Sequence, residues 1–138
     1  MLSYCMKTIA DIENLYAALG AGDHEAVMAQ LADDCVWVVA DNSPLADKSP
    51  YNGVDAIRSG VFERLAAGFE KLDVEVDEIF ECDGDRVIVL GYYDAKFRGV
   101  PEGFRAQVAH VWNLRDGRAV KFQQYLDTQA VARAAGQA

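Results

Sequence analysis

The chain carries two hydrophobic rhythms that change over near its middle. In the first half apolar residues recur every three or four positions. Ile9, Ile12, Tyr16 and Leu19 predict an amphipathic helix over about residues 6–20, ended by "GAGD". Asp23 is placed to cap a short second helix carrying Val27, Met28 and Leu31. Ile57, Val61, Phe62, Leu65 and Phe69 predict a third, from Val54 to about Phe69. Between the last two, "CVWVVAD" is short and rich in β-formers, which predicts a strand. "DNSPLADKSPYNG" follows with two prolines and several turn formers, and predicts a loop.

In the second half the period is two. In "LDVEVDEIFEC", Leu72, Val74 and Val76 share one face and Asp73, Glu75 and Asp77 the other, so one face meets water. "RVIVLGYYDAKF" is apolar on both faces, as a central strand would be. "RAQVAHVWNLRDGRAVKFQQYLDT" reads as two strands around an Asp-Gly turn, and a short Ala-rich helix, capped by Asp127 or Thr128, follows. Helices first and a mostly antiparallel meander after them is an α+β order. A strongly curved sheet with the helices packed across its concave face makes a cone with a pocket inside.

Alternation decides which side chains share that pocket. Phe104, Ala106, Val108, His110, Trp112 and Leu114 lie on one face of the penultimate strand. A three-residue loop, Arg115-Asp116-Gly117, with a G1 bulge sets Trp112 beside Val120 and His110 beside Phe122. A two-residue loop sets Trp112 beside Lys121, so the three-residue loop is the better match of apolar with apolar. His110 then faces the pocket with Val108, Trp112, Phe122 and Gln124. On the first strand Trp37, Val39 and Asp41 share a face. Asp41, where that strand gives out, would be partly desolvated, and desolvation suits a carboxylate to general-base work. The plainer readings are a core histidine satisfied by Gln124 or water, and a turn-forming aspartate.

Composition narrows the function classes. A chain of 138 residues suits one domain with a real core. A net charge of −9 with no basic patch argues against a nucleic-acid partner and an anionic membrane surface. No apolar run reaches the roughly 18 residues of a membrane span. The N-terminus "MLSYCMKTIADI" has no apolar signal core, and Met6 is a second possible start after loosely held first residues. Cys5, Cys35 and Cys82 are three, an odd number without metal spacing, which predicts reduced thiols and a cytoplasmic location. No phosphate-binding glycine loop, metal motif or nucleophile elbow occurs, so no cofactor is expected.

"LYAALGAGDHEAVMAQLADDCVWVVAD", "YNGVDAIRSGVF" and "AHVWNLRDGRAVKFQQYLDT" together resemble the SnoaL-like, ketosteroid isomerase-like branch of the NTF2-like superfamily, over about residues 8–130. The resemblance implies the NTF2-like cone. From ketosteroid isomerases it implies a general-base aspartate after the first strand, at Asp41. It implies an oxyanion-binding tyrosine on the first helix, at Tyr16, although an ungapped reading puts Leu15 there. It implies a protonated aspartate on the penultimate strand, where this chain has His110. That departure moves the expectation away from steroid isomerisation. The Asp-Arg-Asp relay of the related epoxide hydrolases would need Asp127 and Arg105, which lie off the His110 face.

The expected function is therefore cofactor-independent acid–base chemistry on an apolar carbonyl compound, in the manner of an isomerase, polyketide cyclase or dehydratase. Asp41 would take the proton, and His110 and Tyr16 would stabilise the oxyanion. Trp37, Val39, Val108, Trp112, Phe122 and Gln124 would bind substrate. The alternative is a non-catalytic or stress-associated ligand-binding protein. The half-apolar convex face, with Arg105, Gln107, Val111 and Tyr125, suggests a homodimer.

Overall fold

The chain, a computed structural model, is described over residues 2–83 and 85–136, with side chains from Ile9 onward. The expectations for Cys5 and for loosely held first residues around Met6 lie outside those described side chains. The N-terminal periodicity builds α1 (Leu2–Gly20), which buries Ile12, Leu15 and Tyr16. Asp23 caps α2 (His24–Ala29), its carboxylate accepting the Ala26 N–H. β1 (Leu31–Val38) is next. The expected loop carries a 3₁₀ turn (Ala46–Lys48) and a short strand, β2 (Tyr51–Asn52), paired with Trp37 and Val36. The third helix comes in three pieces: α3 (Val54–Ile57), a π-helical turn (Arg58–Phe62) and α4 (Glu63–Gly68). Phe69 opens β3 (Phe69–Cys82) instead of closing the helix. The strands β4 (Arg86–Phe97), β5 (Phe104–Arg115) and β6 (Arg118–Leu126) follow. Asp127 caps the last helix, α5 (Thr128–Ala134).

The six strands form one open sheet in the order β2-β1-β6-β5-β4-β3, antiparallel except where β1 runs parallel to β6. The apolar faces of α1, α2 and α3–α4 meet Trp37, Val87, Val89, Trp112 and Phe122 of the sheet in one core. This is the expected α+β cone. Cys35 is buried in that core, where burial and Asp34 push its thiol up to about 12; Cys35 and Cys82 are both unpaired.

Two bulges decide which side chains point inward. On β3, Asp77 is the extra residue between the pairs Val76–Gly91 and Glu78–Leu90. The strict alternation expected there is broken, so Ile79 joins the inner face and Phe80 turns to the convex side. Gly91 allows this close approach: a Cβ there would lie 2.0 Å from the Glu75 carbonyl oxygen. Between β5 and β6 the turn is Asp116-Gly117, with φ of 52° and 79° and Arg115 opposite Arg118. It is a two-residue turn, not the three-residue loop expected. Val120 bulges between the pairs Leu114–Ala119 and Asn113–Lys121. The bulge sets Trp112 opposite Phe122 and His110 opposite Gln124, so the expected face survives with a different register.

Candidate functional site: a buried histidine at the floor of a cavity

β5 alternation aims Ala106, Val108, His110 and Trp112 inward, and His110 is only 2 % exposed. Burying an imidazole requires partners for both ring nitrogens. Here both are tyrosines. Tyr16 Oη, from α1, lies 2.6 Å from His110 Nδ1, and Tyr93 Oη, from β4, lies 2.8 Å from Nε2. Trp112 Nε1–H donates to Tyr16 Oη at 2.9 Å. Gln124 Nε2–H donates to Tyr93 Oη at 2.7 Å, while its Oε1 accepts the Ala40 N–H at 3.2 Å. The backbone N–H settles which end of the Gln124 amide is oxygen.

Burial alone pushes the His110 imidazole down to about 3, so it is neutral near pH 7. Burial also pushes the Tyr16 and Tyr93 hydroxyls up, so both remain protonated. His110 has both ring nitrogens engaged. It holds two phenols in place.

Above this cluster is a cavity of about 270 Å³. Leu15, Val27, Trp37, Val39, Val61 and Phe62 give it buried apolar walls. Its rim is half-buried: Leu45, Leu65, Phe69, Leu72, Phe97 and Phe104. Among the described lining residues the one charged side chain is Arg64, and no carboxylate is present. Arg64 ties the loop after β1 to α4. It donates to Asp47 Oδ1 at 2.8 Å, Tyr51 Oη at 3.1 Å and the Pro44 carbonyl at 3.1 Å. Tyr51 O–H donates to the Leu45 carbonyl at 2.6 Å. Among the described residues no cluster of His, Cys, Asp and Glu could hold a metal ion.

Comparison with known proteins places this architecture. The SnoaL-like domain family matches residues 12–122. The chain belongs to the SnoaL-like family. It is similar to an NTF2-like protein of unknown function from Burkholderia pseudomallei, at 26 % identity and TM-score 0.82, covering 93 % of this chain and 96 % of that one. An NTF2-like protein from Burkholderia thailandensis is 31 % identical, with TM-score 0.77 over 93 % of this chain and 96 % of that one. A protein of ketosteroid isomerase-like fold from Catenulispora acidiphila, in complex with trimethylamine, shares the fold at 22 % identity and TM-score 0.78, over 93 % of each chain. No curated protein matches.

In this SnoaL-like chain Tyr16, His110, Trp37, Val39, Trp112, Phe122 and Gln124 all line the cavity. Two of the expected residues do not. Asp41 is exposed and lies outside the lining. β1 ends at Val38, so alternation cannot be carried on to position 41. Instead the Ser43 N–H closes a turn onto the Ala40 carbonyl, with Asn42 at φ 67°, and Asp41 stands at its outer corner. Val108 is buried on the inner face but is also outside the lining. Tyr93 starts opposite Ala106 and reaches His110, and Val108 lies between those two residues on β5. Tyr93 itself was missed. Its strand is apolar on both faces, so alternation alone could not choose between Tyr92 and Tyr93. The usable signal was antiparallel pairing with β5, which puts Val87, Val89 and Tyr93 on the His110 face.

Proposed function

We propose that this SnoaL-like chain binds a neutral, mostly apolar small molecule in its cavity, with one polar group of that molecule set against the Tyr16–His110–Tyr93 cluster. One observation carries this: an apolar hollow with a hydrogen-bonded polar cluster at its floor and no carboxylate among its described lining residues. A charged ligand would need a buried counter-charge. The one charged side chain among the described lining residues, Arg64, is already paired with Asp47 at the rim. The reading needs no cofactor. Its test is fluorescence titration with 6-propionyl-2-dimethylaminonaphthalene, a neutral ketone whose emission responds to its surroundings. Saturable binding is expected, and it should be lost when Val39→Trp fills the cavity. Asp41→Asn should leave the dissociation constant unchanged within about twofold, because an exposed turn residue makes no ligand contact. A tenfold loss in that variant would return Asp41 to the site.

A second reading, isomerisation, cyclisation or dehydration of a carbonyl compound, is favoured by one contact. Tyr16 and the residue at position 110 are hydrogen-bonded, and these are the positions where resemblance to ketosteroid isomerases puts the oxyanion donors. It also requires a proton acceptor, and the described lining offers no carboxylate for that role. Binding is therefore the preferred reading.

The convex sheet face remains the proposed surface for a second copy of the chain. Phe80 and Tyr125 stand there 45 % and 58 % exposed. Sedimentation velocity is expected to give a dimer, shifted toward monomer by Tyr125→Arg. A monomeric wild-type protein at high micromolar concentration would contradict the proposal.

A further inference from the structure

The hydrogen atoms of the polar cluster do not balance, and the surplus points at the cavity. A neutral imidazole offers one N–H and one acceptor nitrogen. Tyr16 and Tyr93 offer one O–H each. Two contacts join the three residues, and each contact uses one hydrogen. Three hydrogens meet two contacts, so one hydroxyl hydrogen is left over whichever tautomer is present. Trp112 Nε1–H and Gln124 Nε2–H only donate, so neither can absorb it.

The distances assign the surplus. The 2.6 Å contact between Tyr16 Oη and His110 Nδ1 is shorter than ordinary N–H···O bonds and fits a hydroxyl donor. Tyr16 therefore donates to Nδ1. Nε2 then carries the proton and donates to Tyr93 Oη at 2.8 Å. Tyr93 Oη accepts twice, from His110 and from Gln124. All bonds in the chain run one way, from Trp112 through Tyr16 and His110 to Tyr93, and such directed chains polarise their last donor. Among the described residues Tyr93 O–H meets no acceptor, and Tyr93 lines the cavity.

We infer that Tyr93 is the specificity-determining residue of the cavity: its unspent O–H selects ligands that present a hydrogen-bond acceptor, a ketone or other carbonyl, over the corresponding hydrocarbon. This rests on the ligand-binding reading above and names the ligand class. A hydrocarbon in the same place would bury the Tyr93 hydroxyl hydrogen without an acceptor.

The test compares 6-propionyl-2-dimethylaminonaphthalene with its 6-propyl counterpart, which lacks the carbonyl oxygen, by titration calorimetry on the full chain. The wild type is expected to bind the ketone roughly tenfold more tightly, the size of one unpaired buried donor. Tyr93→Phe should bring the two affinities within about twofold, and Tyr16→Phe should keep most of the ratio. Equal affinities in the wild type would overturn the inference, and so would a ratio that survives Tyr93→Phe or is lost only in Tyr16→Phe. The wild-type comparison needs no variant to fold. If neither compound binds, the cavity reading itself fails and takes this one with it; equal binding of both removes only the role of Tyr93.

Discussion

Acidification is expected to weaken the fold through His110, by about 1.4 kcal/mol per pH unit below about pH 6. In the folded chain the imidazole is pushed down to about 3 by burial. In the unfolded chain it titrates near its ordinary value of about 6.5. Between those values the unfolded state holds one more proton than the folded state, so protons favour unfolding. The stability is fully present above the unfolded pKa and is lost progressively as pH falls toward the folded one. The titratable groups facing the ring are Tyr16 from α1 and Tyr93 from β4, both neutral throughout this window. Trp112, Phe122 and Gln124 also border it, and among the described residues no carboxylate hydrogen-bonds to the ring. Urea unfolding of wild type and His110→Gln at pH 7, 6, 5 and 4 isolates this effect, because every other group is common to both. The variant should be less stable at pH 7, and the gap should close by about 1.4 kcal/mol for each pH unit. Parallel stability curves would show that His110 is not neutral and buried.

The second large effect is expected at Gly60, inside the π-helical turn. A Cβ there would lie 2.2 Å from Cε1 and 2.4 Å from Cδ1 of Tyr51. Two effects oppose each other in Gly60→Ala. Alanine gains up to about 1 kcal/mol in a helix interior. Overpacking costs about 1–3 kcal/mol, toward the upper end where the neighbour cannot yield. Tyr51 cannot yield easily: it is buried, and its hydroxyl holds the Leu45 carbonyl and receives Arg64. The clash should win, with a net loss of about 2 kcal/mol by chemical denaturation. It should also loosen the Pro44–Leu45 wall of the cavity, so that the naphthyl ketone leaves faster in stopped-flow dilution. A more stable Gly60→Ala protein would mean that the ring does not rest on this helix.

Much of this was legible from residue order, and the gaps have specific causes. The α1 stripe of Ile12 and Tyr16 and the Asp23 and Asp127 caps follow from helical period and side-chain chemistry, and the structure has them all. The inward face of β5 followed from alternation because β5 is long and its β4 pairing unbroken. The turn beyond it did not. A two-residue turn with a bulge at Val120 and a three-residue loop give His110 the same face, and pattern alone cannot tell them apart. Asp41 went wrong because period two was extended past Val38, where ladder pairing ends and a turn takes over. Phe80 turned outward because Asp77 bulges, and the signal for that was Gly91 on the neighbouring strand. The π turn left no mark in the spacing, since Ile57, Val61, Phe62 and Leu65 suit a regular helix equally well.

The measurement that bears most directly on the account is a crystal structure of the chain grown with saturating 6-propionyl-2-dimethylaminonaphthalene. The account predicts the naphthalene between Trp37, Phe62 and the rim phenylalanines, with the ketone oxygen within hydrogen-bonding distance of Tyr93 Oη. A cavity left unoccupied, or a ketone seated on the outer face of the sheet, would contradict it.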